Sequence, residues 1–220
     1  MNQESRNLLA ARVARDIPAG SYVNLGIGLP TLVADHLSKA KEVILHSENG
    51  VLGQWEATEA GHEDWELINA GKEAIRLEQG AAFFDHADSF GMMRGGHLDI
   101  CVLGAFQVSE HGDLANWHTG AEDSIPAVGG AMDLAIGARR VFVMMDFLAK
   151  DGRSKLMSRC TYPLTGLACV SRVYTDVATF EIRKDGVFVM EIIGDTSPSE
   201  LQALTEVTLD CSLLETSQMA

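Results

Sequence analysis

The sequence is poor in basic residues, paired cysteines and long apolar runs, and each shortage excludes something. Seventeen Lys and Arg stand against 31 Asp and Glu in 220 residues, a net charge of −14. Such a surface lacks the basic face that nucleic-acid phosphates require, and it is repelled by an anionic membrane. An anionic small substrate is admissible only where positive potential is built locally. No apolar run reaches the roughly 18 residues of a membrane span. Between Met1 and Arg15 the apolar positions are interrupted by Glu4, Arg6 and Arg12, so no secretory signal is read there. Cys101, Cys160, Cys169 and Cys211 lie far apart without a Cys-x-x-Cys pair. That pattern fits reduced thiols in a cytoplasm better than a disulfide framework. His46, His62, His86, His97, His111 and His118 show neither a His-x-x-x-His nor a His-Glu-x-x-His spacing, so no metal site is expected.

What is present is an ordinary globular mix, with 46% hydrophobic and 22% charged residues. The chain is long enough for a sizeable core, carries no repeat, and is expected to form a single domain over residues 1–220. Residues 4–17 are predicted to form an amphipathic helix, with Leu8, Leu9, Ala11, Val13 and Ile17 on one face and arginines opposite, ended by Pro18 and Gly20. Short apolar runs at Tyr22–Leu25, Val43–Leu45, Asp99–Leu103 and Val141–Met145 lack alternation, as strands covered on both faces do. Helical stretches lie between them, from Pro30 to about Leu37 and from Ala131 to Ala138. This alternation predicts an α/β fold with an open, largely parallel sheet flanked by helices. Residues 54–66 are acidic and aperiodic, and are expected to be a loop. Val173–Ile182 and Val187–Ile193, joined through Lys184-Asp185-Gly186, predict a C-terminal antiparallel hairpin. Ser197-Pro198-Ser199-Glu200 reads as a capping box opening a short helix.

Three stretches could carry chemistry. Gly26-Ile27-Gly28 follows a strand, but Thr31 stands where a dinucleotide fingerprint needs its third glycine. A tight turn is the better reading, with free N–H groups facing an anion as the alternative. Glu48 follows directly on an apolar strand, and Asn49 and Gly50 tolerate a sharp turn, so its carboxylate can be presented to a ligand. The plainer alternative is a turn residue. Gly129-Gly130-Ala131 precedes a helix, so backbone N–H groups can approach a ligand closely, as in an oxyanion hole. The plainer alternative there is a glycine loop with Asp133 near a helix start. No motif singles out a cysteine as nucleophile.

On these residues the chain resembles the class I coenzyme A transferases. Ser47-Glu48-Asn49-Gly50 with Gly53 resembles one family motif and Gly129-Gly130-Ala131-Met132-Asp133-Leu134 another. Leu67–Lys72, Arg94–Asp99, Gly112–Trp117 and Cys160–Gly166 are similar to further family blocks in the same order, so the likeness runs from about Ala11 to about Thr205. Gly80–Phe90 and Asn116–Glu122 are most like the beta (B) subunits that act on 3-oxoadipate. The chain departs from the family at Gln54-Trp55-Glu56, where a Gly-x-Pro stretch is usual, and at Asp146-Phe147, where Asp-His or Glu-His is common.

The resemblance implies an open α/β architecture related to sugar-phosphate-binding folds. It implies transfer of coenzyme A from succinyl-CoA to 3-oxoadipate in aromatic catabolism. Glu48 would be the nucleophile and would pass through a glutamyl–CoA thioester, with coenzyme A as a substrate and no separate cofactor. Asn49, Gly50, Gly129, Gly130 and Ala131 would serve oxyanion and CoA binding. A CoA-transferase A (alpha) subunit would complete the site, in a heterotetramer. A cation is needed for the far carboxylate of a dicarboxylate, and Arg94, Lys150 and Arg153 are candidates. Acetoacetate or acetate is the alternative acceptor. A non-catalytic sensor on a related scaffold is the alternative class, and an inactive subunit that pairs with a partner is a third reading.

Overall fold

The computed structural model describes residues 1–57, 61–120 and 129–214. Thirteen strands and four α-helices follow one another along these residues. The helices are α1 (Gln3–Asp16), α2 (His86–Arg94), α3 (Ala131–Gly137) and α4 (Pro198–Ala203). The strands are β1 (Tyr22–Leu25), β2 (Ile44–Ser47), β3 (Val51–Ala57), β4 (Ile75–Phe83), β5 (Ile100–Gly104), β6 (Gln107–Ser109), β7 (Leu114–Ala115), β8 (Arg140–Met144), β9 (Leu156–Met157), β10 (Val170–Tyr174), β11 (Ala178–Arg183), β12 (Gly186–Ile192) and β13 (Leu209–Asp210).

Ten strands make one sheet in the order β13-β12-β11-β10-β8-β5-β1-β2-β3-β4. Its centre, β10-β8-β5-β1-β2, is parallel. Both outer parts are mainly antiparallel: β2-β3-β4 on one side and β10-β11-β12 on the other. The expected α/β class, open sheet and C-terminal hairpin are therefore present. Strands β7, β6 and β9 form a separate small sheet.

The central strands are apolar throughout because both faces are covered. In β5, Ile100 and Val102 join one cluster with Leu9, Val13 and Ile17 of the α1 region, whereas Cys101 and Leu103 join the opposite cluster with Met93, Leu134 and Phe180. In β8, Phe142 and Met144 face the α1 side while Val141 and Val143 face the other, as a two-residue side-chain period requires. Helix α1 is capped by Asn2, whose side chain accepts from the Ser5 amide at 2.8 Å. Its last carbonyls are held by Lys41, whose Nζ donates to Ala14, Arg15 and Ile17. The expected capping box at Ser197–Glu200 is formed. Among the described residues no helix is long and apolar enough to cross a membrane.

Several expectations need correction. Leu8 is 61% exposed, and Arg12 turns inward to donate to Thr179 Oγ1 and the Thr175 carbonyl. The stretch after Gly28 is a 3₁₀ helix over Leu29–His36. Residues 54–57 are not loop but the end of β3, where Gln54 and Trp55 are buried against β4; residues 58–60 lie outside the described residues. The Val173–Ile182 run is two strands, β10 and β11, parted by a turn in which Thr175 Oγ1 accepts from the Ala178 amide at 3.0 Å. Strand β4 and helix α2 answer to no expectation from the sequence.

Candidate active site

Glu48 sits in the tight turn that returns the chain from β2 into antiparallel β3. The pair closes with Ser47 opposite Val51, and the Gly50 amide donates to the Ser47 carbonyl at 3.0 Å. Gly50 holds φ +106°, and a Cβ there would run into the Phe84 carbonyl, so only glycine fits. Phe84 locks the same residue by donating its amide to the Gly50 carbonyl at 3.1 Å. On the other side Ser47 Oγ accepts from the Ala70 amide at 3.0 Å, and Asn49 Nδ2 donates to the Ile68 carbonyl at 2.8 Å.

Beneath the turn lies a buried polar chain. The Asn24 amide of β1 donates to His46 Nδ1 at 3.0 Å and to the His46 carbonyl at 3.1 Å. Because the carbonyl can only accept, the amide nitrogen is the group facing it, and Nδ1 is then the accepting nitrogen. His46 Nε2 therefore carries the proton and donates to Ser89 Oγ of α2 at 3.0 Å. Burial pushes the imidazole pKa down to about 4, so His46 is neutral at pH 7.

The Glu48 carboxylate crosses to the start of α3. A Cβ at Gly130 would overlap Glu48 Oε2, and the Phe90 ring edge lies on the same spot at 3.4 Å. Glycine at 130 is thus what lets the carboxylate rest on the backbone. Gly129, at φ +51°, makes the bend before it, and the N-cap of α3 is Gly130, which has no side chain to cap its amides. Burial raises the pKa of half-buried Glu48; nearby His86 opposes this and Asp133 adds to it. Asp133 is itself engaged by Arg94 at 2.6 Å.

These groups face a cavity of about 950 Å³. Its wall includes Glu48, the Gly26–Gly28 turn, Asn69–Gly71, Phe106, Gly129–Ala131 and Lys155. The Asn69–Gly71 part is shaped by Asn69, whose Oδ1 accepts from the Glu73 amide at 3.0 Å while its own amide donates to the Glu73 carbonyl at 2.9 Å. Gln54 also reaches this wall, with its Oε1 buried and unpartnered among the described residues.

The structure brings Glu48, Gly129, Gly130 and Ala131 together. Asn49 and Gly50 do not line the cavity; their side chain and amide hold the turn. None of the three candidate cations reaches the wall. Arg94 is bound to Asp133, Arg153 to Asp151 at 2.7 Å, and Lys150 is exposed. The cationic side chains that do line it are Arg6 and Lys155. No motif marks either one, nor the Asn24–His46–Ser89 chain, because long-range packing places them.

The family described as Coenzyme A transferase matches residues 6–193. Over 205 residues the chain is 66% identical to the beta (B) chain of 3-oxoadipate CoA-transferase from Pseudomonas putida, covering 93% of this chain and 96% of that one. It is 43% identical over 208 residues to the beta (B) chain of succinyl-CoA:3-ketoacid coenzyme A transferase from Helicobacter pylori, covering 94% of this chain and all of the other. Among solved structures, the acyl-CoA transferase YdiF apoenzyme of Escherichia coli O157:H7 shares the fold with a TM-score of 0.73 at 20% identity; the match covers 94% of this chain and 42% of that one.

Proposed function

The chain belongs to the coenzyme A transferase family as a class I beta-type subunit, and from that premise we propose that it moves coenzyme A from succinyl-CoA to 3-oxoadipate with Glu48 as the covalent carrier. One observation carries this reading: the Glu48 carboxylate rests on glycine backbone at a cavity wall, where an acyl group can reach it.

The Glu48 carboxylate attacks the succinyl-CoA carbonyl, and the tetrahedral adduct expels CoA thiolate to leave a succinyl–glutamyl anhydride. The thiolate attacks the glutamyl carbonyl and expels succinate, leaving a Glu48–CoA thioester. The 3-oxoadipate carboxylate then attacks that thioester and expels the thiolate. The thiolate attacks the oxoadipyl carbonyl of the second anhydride, which frees 3-oxoadipyl-CoA and restores the Glu48 carboxylate. One thioester is exchanged for another, so no nucleotide is consumed and coenzyme A is a substrate throughout. A carboxylate suits this role because its acyl derivatives stay activated; a serine oxyester would not.

Each adduct carries an oxyanion. We assign its reception to the backbone N–H groups of Gly129, Gly130 and Ala131, which line the cavity with Glu48, and one such donor is worth about 3 kcal/mol. Asn49 and Gly50 contribute by fixing the turn that aims Glu48. Water must be excluded or the anhydrides hydrolyse. The relatives are named as B subunits, which supports an alpha-type partner; our reading has that partner close the cavity, in a heterotetramer. The higher identity to the 3-oxoadipate enzyme than to the 3-ketoacid enzyme favours the dicarboxylic acceptor over acetoacetate. Four unpaired cysteines support a reducing compartment, the cytoplasm.

The test uses the complex with its alpha-type partner. Incubation with succinyl-CoA is expected to add the mass of coenzyme A less one water to the Glu48 peptide, and 3-oxoadipate is expected to discharge it. Full turnover by Glu48→Ala, or an unmodified Glu48 peptide during turnover, would refute the covalent route.

A further inference from the structure

We propose that Lys155 is the cation that receives the far carboxylate of the dicarboxylic substrates, and that it sets their preference over monocarboxylic 3-oxoacids. The proposal rests on the reading above that the acceptor is a dicarboxylate, and it names the residue that makes it so.

A dianion entering a chain of net charge −14 needs a local positive centre. Among the described residues lining the cavity the cationic groups are the Met1 ammonium, Arg6 and Lys155, and the first is already paired with Asp146 at 3.1 Å. Arg6 is exposed on α1, whereas Lys155 is half-buried. The backbone of Lys155 is fixed on both sides. Its amide donates to the Phe147 carbonyl at 2.8 Å, and its carbonyl accepts from the Val108 amide at 2.9 Å. Both partners are fully buried, so the root of the side chain is rigid while its four-carbon stem keeps reach. That combination suits two substrates of unequal length, succinyl and 3-oxoadipyl, which must each put one carboxyl carbon at Glu48.

The ammonium is also free to take a new partner. Asp146 and Asp176 act on it through space, yet among the described residues it closes no ion pair. Asp176 is engaged elsewhere, accepting from the Phe147 amide at 2.7 Å, and the Asp146 side chain is 47% exposed. Arg94 and Arg153 differ in this respect, since each already holds a carboxylate of its own. Partial burial disfavours the lone charged ammonium and lowers its pKa, so an arriving carboxylate relieves a cost already present.

The experiment compares wild type, Lys155→Met and Lys155→Arg in the complex with the alpha-type partner, using kcat/KM for 3-oxoadipate and for acetoacetate. Lys155→Met is expected to lower the 3-oxoadipate to acetoacetate ratio about ten- to a hundredfold, the span of one charged hydrogen bond. Lys155→Arg is expected to recover part of it. An unchanged ratio, with 3-oxoadipate still used, overturns the Lys155 assignment and leaves the proposed function standing. Failure of the wild-type complex to use 3-oxoadipate overturns the function instead, and the succinate to acetate ratio then decides for Lys155. Should Lys155→Met fail to assemble, reductive methylation of the wild-type complex reads the same contact. Adipate is expected to protect Lys155 and hexanoate is not; equal protection, or none, overturns the proposal.

Discussion

As the proposed nucleophile, Glu48 faces two demands that pull apart, since a nucleophile must be ionised and a half-buried carboxylate resists ionisation. The raised pKa means that loading by acyl-CoA should weaken as pH falls through it, because only the carboxylate attacks. For stability the sign is opposite. A group whose folded pKa is raised favours the protonated form, so its ionisation opposes folding once pH exceeds that pKa. Glu48→Gln is therefore expected to raise the melting temperature at neutral pH while abolishing turnover; a lowered one would deny the cost. Gly130→Ala should act on the same carboxylate from the other side. Its Cβ would occupy the place of Glu48 Oε2, so turnover should drop at least about a hundredfold, the scale of one misaligned catalytic contact. His46 supplies a third check. Its depressed pKa favours the neutral form, so its contribution is present above about pH 6.5 and is lost as pH falls towards 4. The loss is worth about 3 kcal/mol, and urea midpoints across that range should fall further for wild type than for His46→Asn. Glu48 was legible in the sequence as a candidate because its motif is local, and the structure puts it at the cavity wall. Lys155 and His46 were not, because which lysine meets a cavity and which histidine is buried depend on residues far along the chain.

At the scale of elements, the turn between β2 and β3 is the piece that aims the carboxylate. Gly50 and Gly20 both hold left-handed backbone, at φ +106° and +71°, but only Gly50 would also drive a Cβ into backbone. Gly20→Ala should thus cost about 1 kcal/mol from conformation alone. Gly50→Ala should cost clearly more, about 2 kcal/mol or above, and should reduce turnover by shifting Glu48. Equal costs in denaturant unfolding would show that the turn can yield. Other elements were read less well for identifiable reasons. β3 shifts register against β4 in two places, between Leu52 and Gln54 and between Trp55 and Ala57, which erases the two-residue period expected of a strand. β4 carries Gly80 and two alanines and shows an irregular burial pattern. α2 includes Gly91 and buries only Ser89 and Met93, too narrow a stripe to stand out as helical. The apolar strands and capped helices were legible because their signals are complete within a few residues.

For the whole molecule, strand–helix alternation was enough to give the class and the parallel centre, but not the order of strands or the antiparallel β2-β3-β4 edge that carries Glu48. Strand order depends on which apolar faces meet, and these strands are apolar on both. The same two-sidedness bears on cooperativity. β5 and β8 each send alternate residues into the α1-side cluster and into the opposite cluster, so neither face can lose its packing while the other keeps an intact sheet. Leu9→Ala and Phe180→Ala remove fully buried side chains from opposite faces. Each is expected to cost about 2–5 kcal/mol, and their effects should add because they share no partner. Each variant should keep one unfolding transition with an unchanged denaturant slope. Hydrogen exchange on both faces should accelerate together in either variant. If Phe180→Ala speeds exchange on its own face and spares the α1 side, the two clusters unfold separately, and the sheet does not make residues 1–220 a single domain.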